Sequence, residues 1–146
     1  MTPRDTRGFT LIELMVVVVL LGTVVGFSIP GFKNMMNSQN LKGAADNITG
    51  QFRLARQKAI ATGTPQTIHF YLNTFNCDYH IHNGGVVGPI WDLPNGITYW
   101  TGTGFVADYT FGTDGTCSNS GYVILQDPKS RRDTVSVQVS GSILHL

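Results

Sequence analysis

The residues best placed to do chemistry in this 146-residue chain are histidines, a basic turn and one isolated carboxylate. Asp78, His80 and His82 alternate, so in a strand all three project from one face, a spacing that suits metal ligands. A catalytic zinc site needs further groups converging from elsewhere. His69 and His145 have suitable atoms, but no spacing in the sequence brings them near. The expectation is therefore a polar, outward strand face, with no metal and no cofactor. Lys129, Arg131 and Arg132 form a compact basic turn able to contact phosphates. Three cations alone give weak, strongly salt-dependent binding, so a solvated hairpin tip is the default. Gly112-x-x-Gly115 is no phosphate cradle, because no helix opening on Lys-Ser or Lys-Thr follows it. With no nucleophile motif and no paired carboxylates, the chain does not read as an enzyme. Glu13 is the remaining candidate. It interrupts a long apolar run, where a mid-helix charge costs about 2.5 to 3.5 kcal/mol on insertion scales and so marks a functional site.

The element that positions Glu13 is a helix. About twenty mostly apolar residues follow Gly8, enough to cross a bilayer. Arg4 and Arg7 precede the run and should stay cytoplasmic, which predicts a single pass with the rest of the chain exported. A conventional secretory signal cut near Gly26 and Ser28 has no reason to carry Glu13. Pro30 removes a helix bond and crowds the preceding turn, so a kink is expected there. Beyond it, Leu41, Ala45, Ile48, Phe52, Ala55 and Ala59 recur on one helical face, with Lys42, Asp46, Arg53 and Gln57 on the remainder. Gly63 and Pro65 end the pattern, so the helix is predicted over residues 9–62. Its second half needs a protein surface to cover the stripe.

From there the chain reads as short strands over 66–72, 77–82, 86–91, 97–101, 105–111, 122–126, 134–140 and 143–146, an antiparallel sheet system. The fold class is α+β: a long N-terminal helix packed on antiparallel sheet. Without residues 1–8 the chain keeps eight basic and eight acidic side chains, which argues against binding nucleic acid by bulk charge. Cys77 and Cys117 both fall on the exported side, where disulfides persist, and are expected to pair rather than remain thiols. The closed loop would stabilise the domain by about 4 kcal/mol in the chain-entropy model.

The letters Gly8-Phe9-Thr10-Leu11-Ile12-Glu13-Leu14 resemble the class III signal of type IV pilins and type II secretion pseudopilins. That resemblance implies cleavage after Gly8 by a prepilin peptidase, methylation of the new amino terminus at Phe9, and a glutamate at the fifth mature position, Glu13, that pairs with an amino terminus during assembly. It divides the chain into a leader (1–8), a membrane-spanning or filament-core half-helix (9–30), an amphipathic half-helix (31–62) and an exported β domain (63–146). The expected location is the bacterial inner membrane, with the amino terminus cytoplasmic and the C-terminal domain periplasmic, and then a pilus or pseudopilus. In such filaments the helix is often melted near a proline at the depth of Pro30.

A second stretch, Phe52 to Gly63 with Ala55, Arg56, Ala59 and Ile60, resembles the L-x-x-A-R-x-x-A-I-x-x-G signature of the GspH/FimT branch. Phe111-Gly112 with Gly115, Gly121 opening a strand, and the terminal hairpin resemble it too. The branch comprises minor pseudopilins and minor pilins. Its implied partners are other pilin or pseudopilin subunits, the peptidase and the inner membrane. Some FimT-like members bind DNA in natural transformation through C-terminal arginines, which makes DNA an alternative partner and Lys129, Arg131 and Arg132 its candidate contacts. Here, however, the chain ends Gly141-Ser142-Ile143-Leu144-His145-Leu146, with no arginine after the glycine.

Overall fold

The computed structural model describes residues 9–72 and 78–146, and the side chains among them apart from those of 27–32 and 86–87. One helix, α1, spans Leu11–Thr62. The chain forms two compact units, one ending at Met36 and the other running from Asn37 to Leu146.

In the first unit, residues 11–21, 24 and 25 of α1 carry Leu, Ile, Met and Val on every side apart from Glu13, so no stripe selects an inner face. All of these apolar side chains are exposed, from Leu11 at 76% to Val17 at 45%. Among the described residues no helix is long and apolar enough to cross a membrane. The predicted span runs on into residues 27–32, whose side chains are outside the description, and the kink expected at Pro30 falls there as well.

In the second unit α1 is amphipathic. Leu41, Ala44, Ala45, Ile48, Phe52, Ala55 and Ala59 are buried, the stripe read from the sequence with Ala44 added. Small alanines let the helix approach the sheet closely, and Phe52 fills the gap between them. Its ring meets Tyr109 edge-on at 5.1 Å between centroids, Phe70 at 5.7 Å and Phe111 at 6.2 Å. Full burial of one such side chain contributes about 1.5 to 3 kcal/mol. The helix stops at Thr62, where Gly63 takes the left-handed φ of 64° that a side chain would resist.

Among the described residues eight strands follow: β1 (Gln66–Phe70), β2 (Tyr79–Asn83), β3 (Val86–Trp91), β4 (Thr98–Tyr99), β5 (Asp108–Phe111), β6 (Gly121–Gln126), β7 (Arg132–Val137) and β8 (Ile143–His145). They form two four-stranded sheets, ordered β3-β2-β1-β5 and β4-β6-β7-β8, with every pairing antiparallel. Alternation sends Ile68 and Phe70 of β1, Tyr109 and Phe111 of β5, and Val123 and Leu125 of β6 into one core with the helix stripe.

Some strands are shorter than their sequence pattern. The predicted strand over 97–101 contracts to β4, because Trp100 folds its ring over Gly102, where any Cβ would meet the indole. The predicted strand over 105–111 keeps only β5, with Phe105 reaching Tyr122 through a lone parallel bridge. β7 ends at Val137 instead of 140, since the Gly141 amide donates to Gln138 O and the Gln138 amide to Ser142 O, closing a tight turn.

Candidate functional site

The first candidate is the start of α1. The Glu13 amide donates to Thr10 Oγ1 at 3.3 Å, and the Thr10 amide faces Glu13 Oε2 at 3.5 Å. This is a capping box, spelled by Thr10-x-x-Glu13, in which two side chains satisfy amides the first turn leaves unpaired. Thr10 escaped the sequence reading although the spacing signals it. The carboxylate lies where the positive end of the helix dipole favours it. It is also the sole charged side chain among the exposed apolar residues 11–25, so an approaching amino group would find one acceptor in otherwise featureless surroundings.

The second candidate, the histidine face, is rearranged relative to expectation. Register pairs His69 of β1 directly with His80 of β2, so strand pairing supplies a neighbour that spacing did not. His80 is not an exposed polar residue: it is 5% exposed, with Tyr71 stacked on it at 5.3 Å and His69 and His82 at 5.7 and 5.2 Å between centroids. Burial, and then the neighbouring His82 and His69, push its imidazole below the ordinary histidine value. The His69 Nδ1 atom is hydrogen-bonded to Asp108 of β5. Asp78 does not join them; its carboxylate accepts the Leu93 amide at 2.5 Å. His145 is elsewhere too, with Nδ1 3.0 Å from Asp46 of α1 and Nε2 2.7 Å from Asp133 of β7. His69, Tyr71, His80, His82 and Gly85 line a shallow depression of about 260 Å³. Its rings stack on one another instead of pointing at a common centre, and among the described residues no three such donors are placed to hold a metal ion.

The basic turn is largely committed within the chain. Arg131 donates from Nε to Asp127 Oδ2 at 2.7 Å, and the amides of Lys129 and Arg131 donate to Oδ1. Burial alone would raise the Asp127 carboxyl, but these donors, led by the Arg131 side chain, outweigh it and hold the group below the usual carboxylate range. Arg132 lies over the Trp100 ring, 4.3 Å from its centre, and its Nε donates to Gln126 Oε1. Both arginines therefore stabilise the β6–β7 hairpin. Contact with DNA would have to compete with these bonds. Of the expected cysteine pair, Cys117 is buried in the core, whereas Cys77 lies outside the described residues.

An apolar helical segment bearing one carboxylate, and an amphipathic segment of the same helix buried under antiparallel sheets, together define the pilin-like class of minor pilins and pseudopilins. Residues 3–29 match the prokaryotic N-terminal methylation motif and residues 44–142 match the type II transport protein GspH. The chain belongs to the GspH family. Over 63 residues it is 33% identical to the type II secretion system protein H of Xanthomonas campestris pv. campestris; the match covers 43% of this chain and 37% of that protein. Its fold is similar to the type IV minor pilin FimU of Pseudomonas aeruginosa, with a TM-score of 0.59 at 15% identity over 75% of this chain and 90% of FimU. It is also similar to the minor pseudopilin EpsH of the Vibrio cholerae type 2 secretion system, with a TM-score of 0.56 at 13% identity over 73% of this chain and 96% of EpsH.

Proposed function

We propose that this protein is a minor pseudopilin of a type II secretion apparatus, with a structural rather than a catalytic role. It is made with a leader that a prepilin peptidase removes after Gly8, and it is methylated at Phe9. Residues 9–30 anchor it in the inner membrane with the C-terminal domain in the periplasm. It then joins other pseudopilin subunits in a pseudopilus. Cys77 and Cys117 form a disulfide in the exported domain. The type II assignment is favoured over a type IV pilus by the family description and by the named relative from Xanthomonas, both of which are type II proteins.

The observation that carries this reading is the stretch 11–25 of the first unit: an apolar helical segment exposed on all sides, with Glu13 as its single charge. Leaving so much apolar surface in water is unfavourable, so lipid or the helices of neighbouring subunits must cover it. Within that low-dielectric cover an unpaired carboxylate is costly, and pairing with an amino terminus offsets the cost and sets axial register. Two measurements test the proposal. The intact mass of the mature protein should correspond to loss of residues 1–8 plus one methyl group, and Gly8→Leu should leave the leader attached. Glu13→Ala should abolish incorporation into filaments while the processed protein still accumulates in the membrane; wild-type incorporation would overturn the role given to Glu13.

A further inference from the structure

A cavity of about 330 Å³ in the exported domain is lined by Arg53, Arg56, Gln57, Gly141, Ser142 and Ile143. Its geometry follows from one side chain. Arg56 leaves α1 and inserts between two glycine turns, donating from Nε to Gly115 O at 3.0 Å. Gly115 and Gly141 both have left-handed φ, 80° and 76°. A Cβ on Gly141 would lie 2.0 Å from Gly115 O and 3.0 Å from Arg56 Nε, so only glycine lets the two turns close on the guanidinium. The bond to Gly115 uses Nε and fixes the plane of the group, and Arg56 lines the cavity beside that turn.

Arg53, one helical turn earlier, is exposed at the rim. Among the described residues neither arginine forms an ion pair, and no acidic side chain lines the cavity. Two guanidinium groups thus face a concave space with no counter-charge, beside the amide of Gln57 and the hydroxyl of Ser142. Such forked donors match a planar carboxylate, which accepts two parallel bonds from one guanidinium. Ile143 supplies an apolar wall for the methylene stem of an acidic side chain.

We infer that this cavity is an oxyanion site that receives an acidic side chain from a neighbouring subunit's exported domain. The source of the carboxylate rests on the assembly role above; the pocket's chemistry does not. The contact supplements the pairing of Glu13 and lies at the flank of α1, where Arg53, Arg56 and Gln57 meet the turn at Gly141 and the start of β8.

The test uses the full-length protein in detergent micelles, with arginine side-chain N–H signals followed by NMR at constant ionic strength. Acetate should shift the Arg53 and Arg56 signals saturably. Arg53→Gln, which breaks no hydrogen bond or ion pair among the described residues, should weaken acetate binding by about tenfold or more, the loss expected for one charge-assisted hydrogen bond, with an unchanged thermal midpoint. Arg56→Gln should also abolish binding, but it removes the bond to Gly115, so Arg53→Gln is the deciding variant. A non-saturating acetate response, or equal affinity in Arg53→Gln, overturns the site. Saturable binding of inorganic phosphate without any of acetate overturns the carboxylate assignment. In cells, Arg53→Glu should lower incorporation into the filament; unchanged incorporation alongside acetate binding overturns the neighbouring subunit as the source. A failure of leader cleavage after Gly8 would instead sink the assembly role and leave the micelle titration standing.

Discussion

The two ends of α1 share a secondary structure and little else. Between Leu11 and Val25 every apolar side chain is exposed, whereas from Leu41 to Ala59 the stripe is buried, with Ala45, Phe52, Ala55 and Ala59 completely so. The difference lies in the polar residues between the apolar ones. Lys42, Asp46, Arg53 and Gln57 give the second segment an outside, so its inside is defined and a sheet can cover it. The first segment has no outside, apart from Glu13 and the small residues Gly22 and Thr23, and none of the described residues of its own unit covers it. One helix thus supplies a covered face to a folded domain and, in its first segment, an uncovered cylinder.

That contrast can be broken most readily at Phe52. Its ring is fully buried among Phe70, Tyr109 and Phe111, so Phe52→Ala should cost about 3 to 5 kcal/mol in denaturant unfolding of the detergent-solubilised chain. A loss near zero would mean that the second segment is not held by its stripe. A smaller effect comes from His80. Burial lowers its pKa from the ordinary 6.5, so the folded state favours the neutral ring and the unfolded chain binds more protons. The stability this contributes is present above pH 6.5 and is lost as pH falls from 6.5 through the lower, folded value. Unfolding midpoints measured from pH 7 to pH 5 should therefore decline more steeply for the wild type than for His80→Phe; parallel curves would show that the histidine is not held neutral. The smallest effect on stability belongs to the uncovered segment. Val18 is 60% exposed, and Val18→Ala should change unfolding by no more than about 0.5 kcal/mol. Under the proposed role, incorporation into filaments should nevertheless fall.

Local pattern made the helix, its cap at Gly63 and most strands readable, because each depends on residues a few positions apart. The same is true of two signals that are easily passed over: Thr10-x-x-Glu13 spells a capping box, and Asp127 four residues before Arg131 announces the ion pair that occupies it. The histidine face was legible only in part. Spacing placed His80 and His82 on one side of a strand, but His69 joins them through β1–β2 register, and Asp108 through the pairing of β1 with β5. Register between strands depends on which hydrophobic faces meet after collapse, and that information is distributed over the whole core.

By itself, the order of residues determined a helix from near Gly8 to Thr62, its change from uniformly apolar to amphipathic, the solitary Glu13 and a sheet-forming remainder. These follow from periodicity and from the cost of placing a charge in apolar surroundings, both of which act along the chain. Only the tertiary structure decided that the remainder splits into two sheets, that His145 bridges Asp46 and Asp133, and that Arg56 is clamped by the turns at Gly115 and Gly141. Those meetings join segments far apart in sequence. They exist because the aromatic core around Phe52 fixes where each strand ends, and the turns fall where the core leaves room for them.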